Sequence, residues 1–285
     1  MIYSRDFAAG LKCVMSSHRT STRPRLISLL WGLTVLLALS GCGSSHTALP
    51  ASPQKITYKI LATYPHDPNI FTQGLVIDGD VITETSGLYA KSFLVQYNAF
   101  SGEILRQTNL PREIFAEGIT RFNDQFFMLT WQEKTVFVFD AETLAFEKSL
   151  AYTGEGWGIT HDGEHLITSN GSGNLSFRDA ADFSVIKTLQ VKDAARSWDK
   201  LNELEFAEQR LWANVWQTPF ILAINPENGQ VEGVVDMAEL DRINNHAPSQ
   251  SVLNGIAYDP ERQAYWITGK WWPNRYLVRF IWPEP

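Results

Sequence analysis

The chain has 285 residues, of which 24 are basic and 31 acidic, and its formal net charge at pH 7 is −7. Five of the basic residues and one acidic residue lie in the first 41, so the remainder carries 19 basic and 30 acidic residues, a net charge of −11. This acidic balance leaves no basic stripe for phosphates and argues against nucleic-acid binding. The only cysteines are Cys13 and Cys42, so the body of the chain is expected to fold without disulfides.

The first 41 residues have the pattern of a secretory signal. Residues 1–25 are polar and basic, and an apolar run at 26–39 is short for a permanent transmembrane helix. The run ends in Leu39-Ser40-Gly41-Cys42, which resembles a bacterial lipobox. We therefore expect a signal peptide at 1–41 and a lipid on Cys42. The alternatives are an ordinary signal peptide with an incidental cysteine and an uncleaved anchor.

Residues 42–54 are small, polar and proline-containing, as is typical of a flexible tether. Gly43 follows the cysteine, where an aspartate would suggest retention in the inner membrane. The expected location is therefore the bacterial cell envelope, with the protein anchored at the periplasmic face of the outer membrane. Residues 55–285 are expected to form one all-β domain.

A repeated unit organises this domain. Each unit begins with a polar residue and a small or apolar pair, followed by an apolar strand and a turn such as Asp78-Gly79. The unit starts are 40 to 52 residues apart and lie at Gln73, Glu117, Trp157, Asn202 and Asn254.

Three further strands are predicted after each first strand. Second strands are predicted at 81–85, 126–131, 165–170, 211–216 and 265–270. Third strands are predicted at 92–97, 136–139, 175–177, 220–224 and 276–281. Fourth strands are predicted at 103–108, 145–150, 185–191 and 230–235, and one short helix at 236–245. The last unit lacks a fourth strand, and the strand at 56–63 can supply it. The pattern predicts an all-β, five-bladed β-propeller whose last blade is closed by the N-terminal strand, because a β-sandwich does not explain the regular period.

In a propeller the unit starts converge on the central axis, so the five residues named above are expected to meet there. The predicted second strands end at Trp131, Asn170, Trp216 and Lys270, close to the same face. A carboxylate, an amine, amides and indoles at one mouth are typical of a small-ligand pocket. The alternatives are a polar channel that holds only water and tryptophans that belong to the core.

Seven segments give a more specific indication. In chain order they are 65–75 (PHDPNIFTQGL), 115–120 (FAEGIT), 155–160 (EGWGIT), 201–205 (LNELE), 213–216 (ANVW), 253–259 (LNGIAYD) and 268–270 (TGK). Together they resemble the plant and bacterial type of glutaminyl-peptide cyclotransferase over residues 57–283. The resemblance implies a five-bladed propeller that converts N-terminal glutamine of peptides or proteins into pyroglutamate and releases ammonia, without a required cofactor.

The resemblance also implies roles for individual residues. Glu117 matches the catalytic acid and base of the family. The other matching active-site positions are Gln73, Trp131, Trp157, Asn202, Trp216 and Lys270, with Phe71 and Phe115 as apolar neighbours. From the chemistry of ring closure, Lys270 and Asn202 are expected to donate to the developing oxyanion.

Two rival functions stay open on the sequence alone. Glu117, Asn202 and Asn254 offer oxygen ligands for a hard cation, as in a metal-dependent, lactonase-like propeller. Lys270 beside the carboxylate argues against this, and His161 and His165 span a hairpin turn without helical zinc-ligand geometry. We therefore expect no catalytic metal, with a structural calcium left open. The second rival is a non-catalytic propeller that binds peptides in the envelope. A closed propeller needs no partner chain, so a monomer is expected.

Overall fold

The computed structural model describes residues 52–244 and 250–284. The described part contains twenty strands and one short helix, so the predicted all-β class is confirmed. The predicted signal peptide at 1–41 and the predicted lipidation site at Cys42 lie outside the described residues. Within the described residues, no helix is long and apolar enough to span a membrane.

Most of the strands are buried along much of their length, whereas Gln54–Pro65, Ile104–Asn109, Phe146–Ala151 and Val185–Gln190 are mostly exposed. In chain order the first ten are β1 (Gln54–Pro65), β2 (Thr72–Asp78), β3 (Val81–Ser86), β4 (Phe93–Asn98), β5 (Ile104–Asn109), β6 (Ala116–Phe122), β7 (Gln125–Thr130), β8 (Thr135–Asp140), β9 (Phe146–Ala151) and β10 (Ile159–His161). The next seven are β11 (Leu166–Thr168), β12 (Asn174–Arg178), β13 (Val185–Gln190), β14 (Leu201–Ala207), β15 (Arg210–Val215), β16 (Phe220–Ile224) and β17 (Val231–Asp236). Helix α1 (Ala238–Asn244) precedes β18 (Leu253–Asp259), β19 (Ala264–Gly269) and β20 (Asn274–Ile281).

The strands form four-stranded antiparallel units. Units 1, 2 and 3 are separate sheets of β2–β5, β6–β9 and β10–β13. An eight-stranded sheet has the order β14-β15-β16-β17-β1-β20-β19-β18. It consists of unit 4 (β14–β17) and unit 5 (β18–β20 with β1), because β1 pairs antiparallel with β20 and parallel with β17. The N-terminal strand therefore pairs with the last unit, as the sequence predicted.

The first strands of successive units lie side by side. Strand β2 contacts β6, β6 contacts β10, β10 contacts β14, β14 contacts β18, and β18 contacts β2. Glycine permits this close approach. A Cβ atom on Gly118 would lie 2.7 Å from the carbonyl oxygen of Trp157, and one on Gly74 would collide with the backbone of Ile119. The equivalent residue in unit 4 is Glu203, whose carboxylate accepts a hydrogen bond of 2.8 Å from the backbone N–H of Ile256.

The apolar core lies between successive units. In the described residues it divides into clusters that join units 1 and 2, 2 and 3, 3 and 4, 4 and 5, and 5 and 1. Trp212 and Tyr265, for example, pack edge to face at 5.2 Å between units 4 and 5. Because each face of a sheet covers a face of its neighbour, apolar burial stabilises the arrangement of all five units together.

Candidate active site

A cavity of about 360 Å³ opens where the first strands begin and the second strands end. It is lined by Phe71, Gln73, Leu88, Phe115, Glu117, Trp131, Trp157, Asn202, Trp216, Gln250 and Lys270. All the catalytic and substrate-binding residues expected from the sequence are among them, so the structure brings these side chains together, and their roles stay predictions.

β-Bulges aim the polar side chains of the first strands. The pairing of β2 with β3 shifts register at Gln73, between Thr72 and Gly74. Strand β6 shifts between Ala116 and Ile119, a stretch that contains Glu117. Strand β14 has the same irregularity around Asn202. A bulge redirects a side chain that a regular ladder would place on a sheet face. The bulge at the start of each of these three strands therefore positions one functional group.

A second set of side chains follows the ends of the second strands. Trp131, Trp216 and Lys270 each lie one residue beyond β7, β15 and β19, so these predicted strands were one residue too long. Their backbone N–H groups donate to the residue just before the first strand of the same unit. The bonds are Trp131 to Phe115 (3.1 Å), Trp216 to Lys200 (2.8 Å) and Lys270 to Val252 (2.9 Å).

Two expected channel residues do not line this cavity. Asn170 is exposed, and its Oδ1 accepts hydrogen bonds from the backbone N–H (3.1 Å) and hydroxyl (2.6 Å) of Ser172. Strand β11 ends at Thr168, so Asn170 belongs to a turn. Asn254 is fully buried, and its Nδ2 donates to the carbonyl oxygen of Thr72 at 2.9 Å. Its side chain therefore ties unit 5 to unit 1.

Leu88 and Gln250 line the cavity although the sequence did not single them out. Leu88 has a positive φ of 87° in the loop after β3, and Gln250 lies in the loop before β18. Neither occupies a repeated position, so the repeat contained no signal for them.

Glu117 and Lys270 are the ionisable pair of the cavity. Glu117 is 5% exposed and Lys270 is 4% exposed. Burial raises the pKa of Glu117 well above its ordinary value, Lys270 opposes this, and the charges of Glu155 and Glu133 add to it. Burial lowers the pKa of Lys270 to about 8, and the neighbouring charge of Glu117 partly offsets that effect. Burial therefore disfavours the charged form of both groups.

Two buried amide oxygens of the cavity lining face no donor. In the described residues, neither Gln73 Oε1 nor Asn202 Oδ1 has a hydrogen-bond partner. A buried acceptor without a partner costs about 1–3 kcal/mol, which a bound ligand can recover. The two amides are therefore suited to hold the N–H groups of a substrate.

Aromatic rings form the walls of the cavity. Trp157 and Trp216 meet edge to face at 5.4 Å, and Phe115 lies 5.5 Å from Trp131. The wall excludes water from the carboxylate, which strengthens electrostatic interactions inside the cavity.

No metal centre is evident in residues 52–244 and 250–284, because no three His, Cys, Asp or Glu side chains gather closely enough to hold an ion. His165 lies against Asp162 at a turn, with 3.4 Å between Nδ1 and Oδ2.

Comparisons with known proteins bear on this site. A family model described as glutamine cyclotransferase matches residues 33–280. A curated protein of Arabidopsis thaliana, glutaminyl-peptide cyclotransferase, is 33% identical over 240 residues, which is 83% of this chain and 75% of that protein. The crystal structure of Myxococcus xanthus glutaminyl cyclase matches with a TM-score of 0.76 and 33% identity, over 81% of this chain and 100% of that one. The family expected from the sequence motifs is confirmed: this chain belongs to the glutamine cyclotransferase family.

Proposed function

We propose that this chain cyclises the N-terminal glutamine of peptides and proteins to pyroglutamate, with release of ammonia, and that the reaction takes place in the cavity around Glu117. The observation that carries the proposal is a buried carboxyl group and a buried amine facing one cavity between indole walls. Its two buried acceptors without partners, on Gln73 and Asn202, match the N–H groups of a glutamine residue.

The five units are proposed to be the blades of a five-bladed propeller. The successive contacts among first strands support this arrangement, because β18 returns to β2. The core clusters follow the same cyclic order, from units 1 and 2 to units 5 and 1. The cavity then lies at one end of the central channel, and one chain supplies every side chain that the proposal uses. We therefore expect the monomer to be active.

Ring closure requires a neutral amine and a protonated leaving group. The α-amine of the substrate attacks its own side-chain amide carbon, a C–N bond forms, and the C–N bond to the leaving nitrogen breaks. Glu117 accepts a proton from the attacking amine and donates one to the leaving nitrogen, which departs as ammonia. The raised pKa of Glu117, caused mainly by its burial, suits a group that must take and return a proton.

Lys270 and Asn202 are proposed to stabilise the developing oxyanion of the substrate amide. A lysine with a pKa of about 8 is largely protonated at neutral pH and donates a charge-assisted hydrogen bond. Gln73 is proposed to position the amine or amide. Phe71, Phe115, Trp131, Trp157 and Trp216 are proposed to hold the glutamine side chain in a conformation that favours ring closure.

The proposed reaction needs no metal. The ammonium group of Lys270 faces the same cavity as Glu117 and would compete with any cation bound there. A structural calcium elsewhere remains compatible with the proposal. A metal-dependent lactonase would lose its activity in a chelator, and a non-catalytic binding propeller would bind peptides without releasing ammonia.

The N-terminal segment is proposed to be a lipoprotein signal. Cleavage before Cys42 and lipidation of this residue would anchor the domain, through the tether at 42–54, to the periplasmic face of the outer membrane. Fractionation of cells that express the wild-type chain or Cys42→Ser tests this. We expect the wild type in the membrane fraction, and an equal distribution of the two proteins would contradict the proposal.

A substrate series tests the activity. The protein is incubated with a peptide that begins with glutamine, with the same peptide N-acetylated, and with its N-terminal asparagine analogue. We expect ammonia release and a mass loss of one ammonia from the first peptide only, with and without EDTA. Binding of the first peptide without ammonia release would instead support a non-catalytic propeller that binds peptides.

A further inference from the structure

Glu155 lies beside the active-site cavity but does not line it. It is in the loop between β9 and β10, and it is partly exposed. One of its carboxylate oxygens, Oε2, accepts a hydrogen bond from the indole N–H of Trp131 at 2.9 Å and a second from that of Trp157 at 3.0 Å. The other oxygen accepts from the side-chain amide of Gln132 at 3.3 Å. A single carboxylate therefore links two walls of the cavity.

The backbone around Glu155 is fixed independently of its side chain. The N–H of Gly156 donates to the carbonyl oxygen of Trp131 at 3.1 Å, and the N–H of Trp157 donates to that of Ser169 at 3.1 Å. A Cβ atom on Gly156 would collide with the hydroxyl of Tyr152. These backbone contacts hold the loop without help from the Glu155 side chain. The side chain instead fixes the orientation of the two indole rings.

The link extends across most of the aromatic wall. Trp131 packs against Phe115 at 5.5 Å, and Trp157 meets Trp216 at 5.4 Å. Without the Glu155 carboxylate, the indole N–H groups of Trp131 and Trp157 would lose the acceptor that they share. Each indole N–H would then need water, which would bring solvent to the wall of a cavity whose chemistry depends on excluding it.

Glu155 also stays charged. Partial burial raises the pKa of Glu155, but donation by Trp157, Trp131 and Gln132 outweighs this and lowers it below the ordinary value. Its negative charge is one of the influences that raise the pKa of Glu117, and the charge of Glu133 is another.

We propose that Glu155 is a positioning residue, which holds Trp131 and Trp157 as one rigid wall so that the substrate glutamine stays in the conformation that cyclises. This inference rests on the proposed function, since it assigns Glu155 a role in the same reaction. The role is distinct from catalysis, because Glu155 acts through the two indoles and does not touch the reacting atoms.

The test compares Glu155→Ala and Glu155→Gln with Glu133→Gln in the full chain. Glu133 provides the matched control, because it also raises the pKa of Glu117 but accepts no hydrogen bond from either indole. Turnover of a peptide with N-terminal glutamine is measured against pH, with circular dichroism to check folding. Because the substrate would lose the wall that fixes its orientation, we expect Glu155→Ala to lower kcat about 10- to 100-fold at the pH optimum.

Glu155→Gln keeps an oxygen that can accept from the indoles, so it is expected to recover part of that loss. Both glutamine variants remove a negative charge near Glu117, so both should move the acidic limb of the profile to lower pH. Only the Glu155 variants should lose turnover at the optimum.

Wild-type kcat in a folded Glu155→Ala protein would overturn the proposal, as would an equal loss in Glu133→Gln, which would indicate a purely electrostatic effect. If Glu155→Ala does not fold, kcat of Glu155→Gln is compared with kcat of Glu133→Gln instead. Equal values would overturn the proposal. Failure of the proposed function itself is distinguishable, since the wild-type protein would then release no ammonia.

Discussion

The ammonium nitrogen of Lys270 lies 4.7 Å from the centre of the Phe71 ring, within the range of a cation–π interaction. Both side chains line the cavity that also contains Glu117. The face of the ring partly compensates the buried ammonium group for the hydration that it loses on burial. Phe71 therefore belongs to the electrostatics of the site as well as to its apolar wall.

Loss of the amine should impair chemistry more than binding. Lys270→Ala removes a donor that strengthens as negative charge develops on the substrate oxygen, so we expect kcat to fall about 100- to 1000-fold with a smaller change in KM. Steady-state kinetics with a peptide that begins with glutamine measure both constants. A change confined to KM would assign Lys270 to substrate binding.

The rate should depend on pH in a bell shape. As pH falls through the raised pKa of Glu117, which burial sets above the ordinary 4.5, the base becomes protonated and kcat/KM falls. As pH rises through the pKa of Lys270, about 8, the ammonium group loses its proton and kcat/KM falls again.

Lys270→Arg provides the matched comparison for this profile. A guanidinium group stays protonated throughout the accessible range, so the variant should lose the basic limb even if its maximal rate is lower. The α-amine of the substrate titrates equally with both proteins, so the difference between profiles belongs to position 270. Identical basic limbs would show that Lys270 is not the group responsible.

A buried charged network behind the site should control stability. Glu84, which is 0% exposed, accepts hydrogen bonds from Tyr97 (2.7 Å), from Thr72 (2.6 Å) and from His66 (3.1 Å). Removal of one partner from a buried pair leaves the other uncompensated, so Glu84→Ala should lower the free energy of unfolding by about 3–5 kcal/mol. Urea unfolding measures this. The exposed Glu103→Ala is the control, and a similar small effect of both changes would contradict the expectation.

The same network predicts how stability varies with pH. Burial alone would raise the pKa of Glu84, but His66, Thr72 and Tyr97 lower it, so its contribution is complete above about 4.5 and is lost as pH falls through its lower value in the folded state. Burial lowers the pKa of His66, but Glu84 outweighs this and raises it, so its contribution is complete below about 6.5 and is lost as pH rises through its folded value. Stability should therefore be greatest between about 4.5 and 6.5, and Glu84→Ala should flatten the profile.

The sequence predicted the site well where the repeat places residues at equivalent positions. Gln73, Glu117 and Asn202 each occupy the second position of the first strand in their unit. The spacing of the repeat therefore predicted that they lie together. The prediction for Asn170 fails because the second strand of unit 3 has only three residues. It ends at Thr168, before the strand end at residue 170 that the repeat predicts. No pattern in the sequence marks the bulges, since they depend on pairing between strands.

Residues outside the repeat could not be assigned in the same way. Glu155 appeared only within a family motif, because its role depends on two indoles that lie on different units. His66 likewise appeared only within the family motif at 65–75, and its pairing with Glu84 depends on the fold. Such contacts follow from tertiary packing, which neither periodicity nor turn chemistry encodes.

The most direct test of the account is the turnover of Glu117→Gln beside wild type and Glu133→Gln. The change replaces a carboxyl group by an amide of nearly equal shape, so the fold should remain while the proton shuttle is lost. General acid–base catalysis contributes about 100- to 10,000-fold, so we expect kcat for ammonia release to fall by that factor in Glu117→Gln and to stay near wild type in Glu133→Gln. Near-normal turnover by a correctly folded Glu117→Gln protein would contradict the central claim that Glu117 moves the proton in this reaction.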